Sequence, residues 1–241
     1  LLCILFTAKF KGDVMSHKKI AIAIDGPAGA GKSSISKVVA KELQYLYIDT
    51  GAMYRAVTWA VLHEHLEVSN QKAVEALLPS LDLTMEPTDT AFKVFVRGED
   101  ITDYIRQQKI NENVSTIASY KGVRQYLVER QQAMASVGGV ILDGRDIGSV
   151  VLPNAELKIY LTASVEARAM RRYLEVKGTT NEQSLEDIKI SVMQRDKMDK
   201  TRKESPLIQV EDAILVDSSN MTFDETVAYI LHLVREQIEH E

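Results

Sequence analysis

Gly26-Pro27-Ala28-Gly29-Ala30-Gly31-Lys32-Ser33 has a glycine, four intervening residues and then Gly-Lys-Ser, set between a short apolar run and a helical pattern. Residues without bulky side chains let successive backbone N–H groups turn inward onto a polyphosphate. A helix beginning near Lys32 adds the positive end of its dipole. In such a P-loop the lysine, Lys32, reaches the β and γ phosphates of a nucleoside triphosphate, and the Ser33 hydroxyl is a ligand of the Mg²⁺ that accompanies it. The cradle runs from Gly26 to Ser33, with Ser34 next on the helix. A P-loop alone does not separate a kinase from a nucleotide-dependent regulatory switch. A guanine-reading Asn-Lys-x-Asp motif does not occur in the chain. Arginines stand out instead.

Asp49-Thr50-Gly51-Ala52-Met53-Tyr54-Arg55 and Asp143-Gly144-Arg145-Asp146 each follow an apolar run, at the strand ends where open α/β sheets bind ligands. Arg55 is placed there for an anionic acceptor. Asp143, Arg145 and Asp146 form either a site or an ion-pair network closing the sheet edge. Arg168, Arg171 and Arg172 share one helical face that Ser164 is placed to cap, and Arg195, Asp199 and Arg202 repeat at i, i+4 and i+7. Phosphoryl transfer spreads negative charge over the moving group, so guanidinium groups on a mobile element that excludes water serve it well. Residues 171–202 are therefore expected to form a helical lid. The plainer alternative is a solvated helix surface, with Glu175, Glu182, Glu186 and Asp187 as partners. An acceptor phosphate is already anionic near neutral pH, so no general base is needed, and neither His63 nor His65 is given a catalytic role.

The elements that must position these groups are legible from the apolar pattern. Ile20–Ile24 is a continuous apolar run, as in a strand buried on both faces of a parallel sheet, and residues 32–44 carry one apolar stripe of Ile35, Val38, Val39 and Leu43. Further runs at 45–48, 140–142, 157–161 and 213–216 alternate with helical patterns. The fold class is thus α/β, a P-loop NTPase-type parallel sheet flanked by helices. Leu81–Glu86 and Phe92–Arg97, joined by Pro87-Thr88-Asp89-Thr90, read as an antiparallel hairpin in a small insert spanning about 78–106. Thr222 and Glu225 have capping-box spacing ahead of a last helix with Val227, Ile230, Leu231 and Val234 on one face.

Composition narrows the rest. The 241 residues are 45% hydrophobic and 26% charged with a formal net charge of −5, which argues for a globular enzyme-sized unit and against a nucleic-acid-neutralising surface. The single cysteine, Cys3, excludes an internal disulfide and fits the cytoplasm. Leu1–Phe6 is apolar but short and lacks a basic region before it, so neither a signal peptide nor a membrane anchor is expected. Lys11, Gly12 and Asp13 can be encoded by a purine-rich stretch resembling a ribosome-binding site just upstream of Met15. Residues 1–14 are accordingly expected to be a non-native extension, and 15–241 one catalytic domain.

Four ordered motifs, Ile24-Asp25-Gly26 to Lys32, Asp49 to Arg55, Asp143-Gly144-Arg145-Asp146-Ile147-Gly148 and Arg195-Asp196-x-x-Asp199-x-x-Arg202, resemble those of bacterial cytidylate kinases, from about Ile20 to the last helix. The resemblance implies transfer of the γ-phosphate of ATP to CMP or dCMP in pyrimidine metabolism, with the insert at the monophosphate site. By the same resemblance, Arg55, Arg145, Arg195 and Arg202 contact phosphates, and Ser115, Arg124 and Asp146 read the cytosine. Arg195 and Asp199 contact the pentose, and Thr50 and Tyr54 belong to the monophosphate motif, Thr50 standing where many relatives have serine. Ser33-Ser34 replaces the Gly-Thr of some relatives. The implied catalytic set is Lys32, Arg145, Arg195 and Arg202, with Mg²⁺ brought by ATP, no membrane or nucleic-acid partner, and a monomer. A kinase for UMP, AMP or another small acceptor, and a regulatory switch, remain the alternatives.

Overall fold

The computed structural model describes residues 19–88, 92–136, 138–179 and 182–239. The expectations about residues 1–14 and Met15, and the Asp89-Thr90 part of the predicted hairpin turn, lie outside them. The P-loop strand β1 (Ala21–Asp25) leads through the Gly-rich turn into α1 (Lys32–Leu43), then β2 (Leu46–Asp49) and α2 (Thr50–His63). After α3 (Gln71–Leu77) come β3 (Leu83–Pro87), β4 (Phe92–Val96) and the two-residue β5 (Glu99–Asp100). Helices α4 (Gln108–Ile117) and α5 (Lys121–Ala135) precede β6 (Val140–Gly144) and a π-helical turn, Ile147–Val151. β7 (Leu157–Thr162), α6 (Val165–Val176), α7 (Leu185–Thr201), β8 (Ile214–Asp217) and α8 (Phe223–Glu239) complete the chain.

Among the described residues the central sheet has five strands in the order β2-β6-β1-β7-β8, all parallel. Side chains alternate across it with the strand period of two. Ile22, Ile24, Tyr47, Ile141 and Ile159 pack on one face with Ile35 and Val39 of α1 and with Val227, Ile230 and Val234 of α8. Ala23, Ile48, Val140 and Leu142 pack on the other, with Ala135 and with Ile147 and Val151 of the π turn. The expected parallel sheet between helices is what forms. α8 begins with the expected capping box, the Thr222 backbone N–H donating to Glu225 Oε2 at 2.8 Å and the Glu225 N–H donating to Thr222 Oγ1 at 3.2 Å.

The predicted hairpin is β3 paired antiparallel with β4, and β5 adds a third strand that the reading did not contain. β5 is two polar residues, too short to show an alternation. Leu83, Val94, Val96, Ile101 and Ile105 of this region share one apolar cluster with Met53 and Val57 of α2 and with Val123 and Leu127 of α5. Helix α7 ends at Thr201, so Arg202, predicted as the third member of a helical face, is its C-cap in extended conformation.

Candidate active site

Because β1 lies between β6 and β7, and β6 between β1 and β2, the carboxyl ends of β1, β2 and β6 are neighbours. These ends carry the P-loop, Asp49 and the Asp143–Asp146 segment, which a linear reading could only assign to separate strands. At the first of them, Gly26 has φ 150 and an added Cβ would lie 1.9 Å from the Leu161 carbonyl oxygen, so the chain enters the loop at a position only glycine fills. Gly29 and Gly31 also have positive φ. α1 starts after Gly31 without a side-chain cap, which leaves its first N–H groups for an anion.

Lys32 is buried and its Nζ donates to Pro27 O at 2.8 Å. Burial, and then the neighbouring Arg145, push its ammonium pKa down to about 7, against the pull of Asp143, Asp199 and Asp25. Ser33 donates its hydroxyl to Asp143 Oδ2 at 2.7 Å, and Tyr47 donates to the other oxygen at 2.8 Å. Burial, then the Asp49 charge, raise the Asp143 carboxyl above its usual range. A hydroxyl and a carboxylate beside the phosphate loop are the oxygen pair that a nucleotide-bound Mg²⁺ takes. Ser34 is exposed on the first turn of α1. Outside the loop, Arg168 donates to Ala28 O at 2.9 Å and forms a two-bond pair with Asp196 at 3.0 and 2.6 Å.

The second cluster gathers residues from six elements. Asp49 caps α2, accepting from the Ala52 N–H at 2.9 Å, and its other oxygen takes Arg55 Nη2 at 2.9 Å. Thr50 donates its hydroxyl to Asp143 O at 2.7 Å, tying α2 to the end of β6. Arg145 Nε donates to Asp199 Oδ2 at 2.8 Å, joining β6 to α7. Arg124 on α5 donates to Asp146 and, at 3.0 Å, to Ala118 O just beyond α4, while its guanidinium lies 5.3 Å from the centre of the Tyr54 ring. Arg202 approaches Asp146 at 3.8 Å and Asp199 at 3.9 Å, beyond hydrogen-bond length. Arg195 is half-buried, and desolvation, then Arg145, lower its pKa to about 10, so it remains cationic near neutral pH. Ser115 is half-buried on α4, the helix whose end Arg124 clasps.

Among the described residues, Tyr54 Oη, Arg55 Nε, Arg124 Nε, Arg195 Nε and Arg202 Nη2 are buried polar atoms without a hydrogen-bond partner. Buried donors are nearly always paired, and leaving one unpaired costs on the order of 1–3 kcal/mol. Ser36 Oγ on α1 and Tyr126 Oη and Gln131 Nε2 on α5 share that condition, but the five named here include four guanidinium donors, which suit an anion. Of the other arginines noted in the sequence, Arg171 donates to Ser218 O at 2.7 Å near the P-loop side, whereas Arg172 is exposed and pairs with Glu175 at 2.9 Å as an ordinary surface ion pair. His63 stacks on Trp59 at 4.6 Å in the last turn of α2.

Three participants were assigned no role from the sequence, although Asp25 stands in the first of the four motifs. Tyr47 is an apolar-face residue whose hydroxyl meets Asp143 only in the folded chain. Arg106 lies in the insert and approaches Asp49 at 3.7 Å. Asp25 closes β1, and a carboxylate at a strand end was the signal available for it.

The cytidylate kinase family model matches residues 22–236. The cytidylate kinase of Ligilactobacillus salivarius is 48% identical over 220 residues, covering 91% of this chain and 98% of its own length. That of Listeria innocua is 48% identical over 223 residues, covering 92% and 99%. A solved structure of an uncharacterized protein from Eubacterium ventriosum aligns with TM-score 0.50 at 12% identity over 90% of this chain and 99% of that one, a likeness of fold alone.

Proposed function

The chain belongs to the cytidylate kinase family, and from that premise we propose how its residues carry the reaction. It is an ATP-dependent phosphotransferase that passes the γ-phosphate of ATP to CMP or dCMP, giving ADP and CDP or dCDP in pyrimidine nucleotide metabolism. Gly26, Pro27, Ala28, Gly29, Ala30, Gly31, Lys32, Ser33 and Ser34 hold the ATP phosphates, and Lys32 neutralises charge on the γ-phosphate. Ser33, with Asp143 hydrogen-bonded to it, would hold the Mg²⁺ that accompanies ATP, which would lower the charge on the phosphates. Transfer is direct and in line, with catalysis by positioning and charge neutralisation and no covalent enzyme intermediate.

The observation that carries the acceptor assignment is the set of buried, unpartnered donors on Tyr54, Arg55, Arg124, Arg195 and Arg202. Arg55, Arg145, Arg195 and Arg202 meet the phosphates, and Arg195 and Asp199 the pentose. Thr50 holds the loop under the acceptor. Asp146, held by Arg124, accepts from the cytosine 4-amino group, with Ser115 beside it. Uracil presents a carbonyl there and would leave that carboxylate unpaired against a like dipole, which disfavours it. The insert of about 78–106 forms one wall of the acceptor site, and 171–202 forms the lid. Every group in this scheme comes from one chain, so a monomer suffices. Among the described residues no helix is long and apolar enough to cross a membrane; the location we propose is the cytoplasm, where ATP and CMP are both at hand.

A coupled ADP-release assay with ATP·Mg²⁺ and CMP, dCMP, UMP, AMP, GMP and dTMP tests the scheme. Activity concentrated on CMP and dCMP, lost by at least 100-fold in Lys32→Ala and less selective for cytosine over uracil in Asp146→Ala, is expected. Equal rates across the panel would refute the acceptor reading while leaving the P-loop untouched.

A further inference from the structure

We propose that Asp25 is a positioning residue that holds the acceptor-reading Arg145–Asp146 segment in register with the donor phosphate loop; this rests on the acceptor site described above. Asp25 is the last residue of β1, opposite Gly144 in the parallel pairing with β6. Its carboxylate reaches past that pairing, Oδ1 accepting from the Ile147 N–H and Oδ2 from the Gly148 N–H, both at 2.8 Å. These are the first N–H groups of the π-helical turn, which no acceptor within the turn can satisfy. Arg145 and Asp146 are the two residues immediately before it, and Asp146 has no side-chain cap bond to the turn, its carboxylate being turned to Arg124 instead. Clamping the backbone at 147 and 148 therefore sets the direction in which residues 145 and 146 leave β6.

The other end of the clamp has no slack. Gly26 follows Asp25 directly and is pressed against the Leu161 carbonyl, so the residue that grips the acceptor turn is covalently joined to the start of the phosphate cradle. Two side-by-side N–H donors call for a group with two acceptor oxygens, and an ionised carboxylate supplies them. Asp25 is 6% exposed, and burial, with the nearby Asp146 charge, raises its pKa to about 6 against the two N–H bonds and Lys32, so the arrangement has a cost. An apolar residue would avoid burying a carboxylate but would leave both N–H groups unpaired. The benefit is geometric, because in-line transfer needs the acceptor oxygen and the γ-phosphorus about 3–3.5 Å apart, and a displacement of about 1 Å can cost on the order of 100-fold in rate.

Asp25→Asn tests the idea. The amide keeps the shape but turns an NH₂ toward one of the two N–H groups. Steady-state kinetics with CMP and UMP, and titration with a non-hydrolysable ATP analogue alone, should show kcat with CMP reduced by roughly 10- to 100-fold. The CMP-over-UMP preference should narrow, and ATP-analogue affinity should stay within about twofold, as expected when the clamp rather than the cradle is lost. A folded Asp25→Asn with parental kcat and base preference, or one losing ATP-analogue affinity in parallel with kcat, overturns the proposal. Should that variant fail to fold, Asp25→Glu keeps the charge but lengthens the clamp by one methylene. The same split between kcat and ATP-analogue affinity is then expected, and parental kcat or a parallel loss of analogue affinity overturns the proposal. If the parent enzyme itself shows no preference for CMP, the acceptor reading fails and this inference falls with it, an outcome distinct from the two above.

Discussion

Single charges in this site are set by burial. Lys32 sits in the cradle with its pKa lowered to about 7, by burial first and Arg145 second, so above that pH the ligand-free amine is largely neutral. A polyphosphate brought against it restores the charged form. ATP binding at pH 8 is therefore expected to take up close to one proton, and the sign follows because the bound state has the higher amine pKa. Calorimetric titration in buffers of different ionisation enthalpy measures that uptake. Lys32→Met should abolish it, and a binding enthalpy at pH 8 independent of buffer in the parent protein would contradict the lowered pKa. The motif was plain in the sequence, but the lowering of the lysine pKa was not, because its second cause, Arg145, lies 113 residues away in the chain.

Elements carry the next level of order, and their ends matter more than their middles. The Thr222–Glu225 box satisfies two backbone donors at the start of α8, the helix that covers one face of the sheet. Thr222→Ala should cost about 1 kcal/mol, lowering the melting temperature by roughly 2–4 °C for a chain of this size with kcat unchanged. Thermal unfolding alongside the ADP-release assay checks both halves, and a fall in kcat would mean that α8 reaches the site. This cap was readable because a capping box is local in sequence. The π-helical turn at Ile147–Val151 was not, since its first N–H groups are satisfied by Asp25, a residue 122 positions away. The end of α7 was misjudged for a related reason: Arg202 leaves helical geometry to donate its Nε to Ser205 O at 2.7 Å, where periodicity alone would continue the helix.

At the scale of the molecule, α7 connects both halves of the reaction. Asp196 holds Arg168, which holds the P-loop carbonyl of Ala28, while Asp199, three residues on, holds Arg145 of the acceptor cluster. A helix gripped at both sites is expected to be ordered most when both are occupied. Hydrogen exchange across residues 165–202 should slow more with CMP and a non-hydrolysable ATP analogue together than the two separate effects combined. Additive protection would mean that 171–202 does not act as a shared lid.

By itself the sequence determined the chemistry and the class of fold. The P-loop is contiguous, and apolar runs alternating with amphipathic stripes admit little besides a parallel sheet between helices. Only the tertiary structure decided which charges meet. Arg124 with Asp146, Arg145 with Asp199 and Asp25 with the 147–148 backbone are pairs separated by 22 to 123 residues, and no local pattern encodes such a distance. Their meeting follows from strand order, which brings the ends of β1, β2 and β6 together, and from the cost of burying a charge or an N–H group without a partner, which leaves each of them one arrangement to adopt.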